Sequence, residues 1–179
     1  MASRTSPLIF IASLAGALLV LLACSETSTV GTVVGGTSSS STKTTSATAT
    51  PPSHFKAGQE VQFGDFIVTI NGVKTSQGGE LDTLKTGHIF VVVDVTLKNT
   101  STKAQLISSF LDFTIQDATG QKYNETIITD ATPPDGTVAP GGLLRGQLTY
   151  AVPKTQKSFT FSFQPDYLTG DQAIWDLHD

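Results

Sequence analysis

The most regular pattern of apolar and polar positions runs from Gly87 to Asn99. Its odd positions, Ile89, Val91, Val93, Val95 and Leu97, are branched and apolar, while its even positions turn polar at Asp94, Thr96 and Lys98. Alternation at period two, closed by Asn99-Thr100-Ser101, predicts a long β-strand with one face on a core. The same pattern, in shorter pieces, predicts strands at residues 59–63 and at residues 66–70, the latter stopped by Asn71-Gly72. The polar, glycine-containing residues 75–86 then read as a loop leading into the central strand.

Beyond Asn99 come four turn-like residues and a further run at 104–116. A hairpin with Val92 facing Phe110 sets Val91 against Leu111, Val95 against Ile107 and Ile89 against Phe113 without a bulge, so that register is the expectation. Asp117-Ala118-Thr119-Gly120 reads as a turn, with a short strand at Tyr123 after it. Residues 125–140 are irregular, with turns at Pro133-Pro134-Asp135-Gly136 and Ala139-Pro140-Gly141-Gly142. Leu144, Leu148, Tyr150 and Val152 alternate with polar or small residues up to Pro153, and Phe159, Phe161 and Phe163 alternate with Ser and Thr on a returning strand. Ala173 to Leu177 adds a last edge strand with Trp175 inward. About seven to nine mainly antiparallel strands, frequent turns and no helical stretch predict an all-β fold, an immunoglobulin-like β-sandwich over residues 58–179. A closed barrel is the structural alternative.

The amino-terminal part follows other rules. Arg4 precedes an apolar run from Leu8 to Ala23, the layout of a secretory signal, and that run is shorter than the ~20 residues of a membrane span. It closes with Leu21-Leu22-Ala23-Cys24, which closely resembles the bacterial lipobox. The resemblance implies cleavage after residue 23, a diacylglycerol on Cys24 Sγ, and Cys24 as the mature amino terminus. An uncleaved anchor helix and an ordinary signal peptide are the competing readings. Residues 24–57, rich in Ser, Thr, Gly and Ala, hold almost no large apolar side chain and are expected to form a disordered tether spanning ~30 Å. O-glycosylation of this Ser/Thr-rich stretch is a further option beside a plain spacer.

Composition narrows the function classes. The 179 residues are 39% hydrophobic and 15% charged, enough for one domain with segments left over. Loss of a leader that carries Arg4 and no acid leaves 10 basic and 15 acidic residues, a balance that argues against a nucleic-acid partner. A single cysteine excludes an intramolecular disulfide. His54, His88 and His178 are too scattered for a zinc pair, and neither a Gly-x-Ser-x-Gly elbow nor a phosphate-cradling glycine loop occurs. No metal site, cofactor or catalytic residue is therefore expected. Asp112 and Asp117 differ in strand parity and do not form an acid/base pair. Asp117, Asp130 and Asp135 lie in or beside loops, where oxygen-rich turns can take Ca²⁺, but their spacing matches no known loop. Asn99-Thr100-Ser101 and Asn124-Glu125-Thr126 fit a glycosylation pattern that is accidental in a bacterial lipoprotein. The Val92–Phe110 register places Phe90, Val92, Leu106 and Phe110 together on the face away from the core. That is a candidate interaction patch unless residues 125–140 cover it.

Three stretches in order are Gly87-His88-Ile89-Phe90-Val91-Val92-Val93-Asp94-Val95-Thr96-Leu97-Lys98-Asn99-Thr100, Phe113-Thr114-Ile115-Gln116-Asp117-Ala118-Thr119-Gly120-Gln121-Lys122-Tyr123, and Pro140-Gly141-Gly142 through Gly146-Gln147-Leu148-Thr149-Tyr150-Ala151-Val152-Pro153. Together they resemble the telokin-like, immunoglobulin-fold domain of unknown function common in bacterial lipoproteins, over roughly Gly58 to Leu177. The resemblance implies no activity and no catalytic residues. The resulting expectation is a lipid-anchored protein on the extracytoplasmic face of the cell membrane. Its non-enzymatic domain would bind a protein or another envelope component. The alternative is a small-ligand or cation-binding accessory protein, and a hydrolase is the weaker third reading.

Overall fold

The computed structural model describes residues 31–34, 54–166 and 168–178. They form twelve strands and one helical turn: β1 (Thr32–Val33), β2 (His54–Lys56), β3 (Glu60–Phe63), β4 (Phe66–Ser76), β5 (His88–Asn99), β6 (Gln105–Ile107), α1 (Ser109–Asp112), β7 (Phe113–Asp117), β8 (Lys122–Tyr123), β9 (Gly136–Val138), β10 (Leu143–Pro153), β11 (Ser158–Phe163) and β12 (Ala173–His178). One sheet has the order β1-β3-β4-β5-β10, the second β2-β12-β11-β7-β8, and β6 pairs with β9 in a two-stranded ribbon. All pairs are antiparallel except β2 with β12. The all-β sandwich expected from the sequence is the fold of the chain.

The alternation seen in the sequence sets the interior. Val91, Val93, Val95 and Leu97 of β5 point between the sheets with Val68 and Ile70 of β4 and Leu148, Tyr150 and Val152 of β10. The opposing sheet contributes Phe113, Ile115, Phe159, Phe161, Phe163, Trp175 and Leu177. Aromatic edges join the layers: Phe163 meets Phe66 at 5.6 Å and Phe63 at 6.4 Å, and Tyr150 meets Phe161 at 6.4 Å. Such pairs contribute ~0.5–1.5 kcal/mol each beyond area burial. The Phe63, Phe66 and Phe163 contacts also show that the β3–β4 turn and the β11–β12 connection lie at the same end of the sandwich.

Several expectations change. The β5 hairpin with residues 104–116 does not form; β5 lies between β4 and β10, with Val93 opposite both Val73 and Leu148. The 104–116 run is broken instead by α1, after which β7 joins the other sheet against β11. Ser109 N–H and Oγ–H both donate to Asp135, at 2.7 and 3.1 Å, and Ser108 N–H donates to Asp112 at 2.9 Å, so local side chains stabilise the turn that switches sheets. Strand β4 also does not stop at Asn71-Gly72. A bulge between Ile70 and Gly72 carries the chain on, and Asn71 reaches across the sheet to Asp94 and Thr96 at 2.8 and 2.9 Å.

The domain also begins earlier than residue 58. β2 lies beside β12, and β1 adds an edge strand to β3 with Thr32 opposite Gln62 and Val33 opposite Val61. Residues 31–34 and 54–57, expected in the tether, thus belong to the fold. Val30, Val33 and Val34 are too few to make a strand alone, but β3 supplies a ready edge for Thr32–Val33. Gly31 fits because a Cβ there would come within 2.8–2.9 Å of Phe55 and Val61. Residues 35–53 lie outside the described set.

Phe90 and Val92 face away from the main core, yet they are 1% and 2% exposed. Ile128 packs on them, with Leu84, Ala131 and Ala151 around it. Asp82 joins the two covering segments: it accepts from Gly79 N–H at 2.7 Å and from Thr129 N–H and Oγ1–H at 3.0 Å each. These bonds, led by that from Gly79, hold its carboxyl below the usual range. The irregular segment runs along the outer edge of β10, where Thr126 N–H donates to Thr149 O and Gln147 N–H to Thr132 O, each at 2.7 Å. Pro133 and Pro134 then pass against Gly146, whose missing side chain leaves the room they occupy.

Three outcomes test this architecture. Val95→Asp, which buries an unpaired carboxylate, and Phe90→Ala, at ~3–5 kcal/mol, are both expected to be costly, whereas Phe110→Ala on the exposed turn changes stability by no more than ~0.5 kcal/mol in urea titrations. Gly146→Ala forces Pro133–Pro134 outward and lowers stability by ~1–3 kcal/mol in the same assay. The third concerns Asp117. It accepts from Thr119 Oγ1–H (2.6 Å), Thr119 N–H (2.9 Å), Gln121 N–H (3.1 Å) and Tyr123 O–H (2.6 Å). These bonds, Thr119's hydroxyl first, lower its pKa to about 2. Because the folded value lies below the unfolded one, this stabilisation is complete above pH ~4 and is lost as the pH falls towards 2. Asp117→Asn should flatten that acid limb in thermal melts recorded across pH.

Candidate functional site

The patch expected from the sequence does not assemble. Phe90 and Val92 are sealed under Ile128, while Leu106 on β6 and Phe110 on α1 stand exposed elsewhere. Cys24, the expected lipidation site, lies outside the described residues.

A group of polar side chains lies below the β10 edge. Glu125 forms an antiparallel bridge with Tyr150, so its side chain shares the inward face with the phenol. Burial pushes the Glu125 carboxyl up; the Ser109 hydroxyl opposes this and the Asp135 carboxylate adds to it. Glu125 Oε2 and the Tyr150 hydroxyl are buried without a hydrogen-bond partner. Ser109 is itself fully buried, and its hydroxyl proton lies between the carboxylates of Asp135, at 3.1 Å, and Glu125. No imidazole or amine stands among these groups to take that proton, and a buried hydroxyl offers substrate no approach. The arrangement ties α1 to residues 125–135; it does not build a nucleophile.

One end of the sandwich is different in character. The β3–β4 turn, the β5–β6 connection, the β9–β10 turn, α1 and the β11–β12 connection meet there. Buried Asn99 holds two of them: its Nδ2 donates to Lys103 O at 2.7 Å and to Val138 O at 2.9 Å, and its Oδ1 accepts from Ser101 N–H and Oγ–H. Thr100 N–H donates to Asp65 O at 2.8 Å, and Gln105 Nε2 to Asp65 Oδ2 at 2.9 Å. Gln164 N–H donates to Asp112 O at 2.8 Å, which brings the β11–β12 connection against α1.

From this scaffold project Leu106, Phe110, Leu111, Leu143 and Leu168, five of the eight large apolar side chains exposed among the described residues. Leu168 is 97% exposed and Leu106 74%. A cleft of about 390 Å³ opens beside them, lined in part by Phe63, Phe66, Gln105, Asp65, Asp166 and Asp171. Among the described residues no three His, Cys, Asp or Glu side chains stand close enough to hold a metal ion. Two of the five, Leu106 and Phe110, belong to the patch that the sequence pattern predicts on the outer face of β5. Alternation predicts Leu111 in the core and gives no sign of Leu143 or Leu168. A large apolar residue within turn-forming surroundings, as in Asp166 to Gly170 or Gly141-Gly142-Leu143, was the available signal.

Comparison with solved structures agrees with the fold. The yjhA protein of Bacillus subtilis is 19% identical with a TM-score of 0.56, covering 69% of this chain and 98% of its own. A "putative lipoprotein (ycdA)" from Bacillus subtilis subsp. subtilis str. 168 is 18% identical with a TM-score of 0.54, over 63% of this chain. This chain spans only 36% of the length of that protein. An uncharacterized β-sandwich protein of Clostridium difficile 630 is 16% identical with a TM-score of 0.49, covering 73% of this chain and 99% of that one. No curated protein matches the sequence. Residues 55–174, most of the described β-sandwich, match the model of the domain of unknown function DUF4352, and the chain belongs to that family.

Proposed function

We propose that this chain is an extracytoplasmic lipoprotein, anchored to the cell membrane through Cys24, whose telokin-like sandwich acts by binding a protein or another envelope component rather than by catalysis. The observation that carries the binding reading is the exposure of Leu106, Phe110, Leu111, Leu143 and Leu168 on the elements that meet at one end of the domain. Folded domains usually leave apolar side chains exposed singly, and a concentration of them marks a contact surface. The anchoring half rests on Leu21-Leu22-Ala23-Cys24 after the apolar run. No helix among the described residues is long and apolar enough to cross a membrane. Two or more acyl chains, at ~0.8 kcal/mol per buried methylene, would hold the protein stably. The non-catalytic reading is supported by the burial of Ser109, which gives a substrate no approach to its hydroxyl. A small-ligand function is the second reading, with the cleft beside Asp65, Asp166 and Asp171 as one place for it; among the described residues no three His, Cys, Asp or Glu side chains stand close enough there to hold a metal ion.

Cys24→Ser should move the protein from the detergent-rich to the aqueous phase on Triton X-114 partitioning and leave the thermal midpoint of the domain unchanged. A variant that still partitions with detergent would count against lipid anchoring at this residue.

A further inference from the structure

We infer that the end of the sandwich bearing Leu106, Phe110, Leu111, Leu143 and Leu168 lies against the lipid bilayer, with these side chains in the membrane interface. The inference rests on Cys24 being the lipidated residue and names the partner left open above.

The argument begins with β1. Its pairing is antiparallel, with Thr32 opposite Gln62 and Val33 opposite Val61, so Gly31, the first described residue, stands level with Phe63 beside the β3–β4 turn. That turn belongs to the end that carries the exposed leucines, as the Phe63, Phe66 and Phe163 contacts establish. Seven residue steps separate Cys24 from Gly31. However those residues are arranged, they cannot span more than ~25 Å, and a flexible chain of that length averages ~15 Å. Strand β5 has 12 residues and is therefore ~40 Å long, so the opposite end of the sandwich cannot approach the bilayer as closely unless the domain lies down. The Ser/Thr-rich residues 35–53 fall between β1 and β2 and add nothing to this reach.

The side chains at this end suit an apolar contact. Leu143 opens β10 beside the β5 terminus, Leu168 tops the β11–β12 connection, and Leu106, Phe110 and Leu111 follow one another through β6 and α1. Lys98 and Lys103 accompany them, but so do Asp65, Asp166 and Asp171. With acids at least balancing the lysines, attraction to anionic headgroups is not the driving term, and insertion of leucines and phenylalanine is. The contact should therefore persist at high salt.

The test uses the lipidated protein in vesicles of phosphatidylethanolamine and phosphatidylglycerol. Lipidation consumes Cys24 Sγ, so Leu143→Cys and Leu168→Cys each provide the one free thiol for a polarity-sensitive fluorophore. Lys85→Cys and Lys154→Cys, at the far end, serve as controls. All four positions are exposed, and melting curves are to be recorded to check that each variant folds. On vesicles, labels at 143 and 168 should shift to the blue and lose several-fold in quenching by aqueous iodide, in low salt and in 1 M NaCl, relative to the same label on unlipidated residues 25–179 in solution. Labels at 85 and 154 should not change. Equal quenching at 143 and 168 in both forms would overturn the inference. Shielding in native membranes but not in pure lipid would also overturn it, assigning the surface to a protein partner. Mass spectrometry separates either failure from that of the anchor: a mature chain with no diacylglycerol removes the anchoring reading, and this inference with it.

Discussion

The structure depends on one strand having two dry faces. β5 presents Val91, Val93, Val95 and Leu97 to the other sheet and Phe90 and Val92 to the opposite side, and all six are buried. An antiparallel sandwich normally leaves the outer face of each sheet to water. Here that face would expose a phenylalanine and a valine on the central strand, and burying each yields roughly 1.5–3 kcal/mol. Residues 77–86 and 125–132 are consequently drawn across it, and Asp82 joins them by bonds to Gly79 and Thr129. Further along the same face, where the cover stops, the residues become Asp94 and Arg145, which pair at 2.9 Å across β5 and β10. The boundary between apolar and charged positions on β5 is the boundary of the cover.

That cover has consequences elsewhere. Its chain follows the free edge of β10, so the edge is occupied and less available for pairing with another molecule. It then has to pass inward at Gly146, where only a residue without a side chain leaves space, to reach β9 and pair with β6. Asn99, Ser109 and Asp135 serve the same route by giving buried backbone and hydroxyl groups their partners. Asn99 and Ser109 are themselves buried, and with Asp135 they hold the chain on this route. Leu106, Phe110, Leu111, Leu143 and Leu168 stay exposed on the elements that meet at one end of the sandwich.

Much of this could be read along the chain. Strand positions at β3, β5, β10, β11 and β12 followed from alternation, because the side-chain period of a strand is two and does not depend on which neighbour it meets. For the same reason the inward facing of Val91, Val93, Val95 and Leu97 was legible while the partner of β5 was not. A hairpin between β5 and residues 104–116 and the observed insertion between β4 and β10 place the same β5 residues inward. The choice was made by α1, whose stabilising contact comes from Asp135, 26 residues away from Ser109.

What the sequence alone determined is therefore the all-β class, the apolar face of each long strand, and the family resemblance carried by residues 87–100, 113–123 and 140–153. Tertiary structure decided which apolar residues remain outside. Phe90 and Phe110 have the same side chain, yet one is 1% exposed and the other 58%. The difference lies in Ile128 and Leu84, which reach Phe90 through loops whose path no local pattern encodes. Tertiary structure also moved the start of the domain to β1, because a two-residue strand without apolar periodicity becomes stable only where the edge of β3 offers its hydrogen bonds.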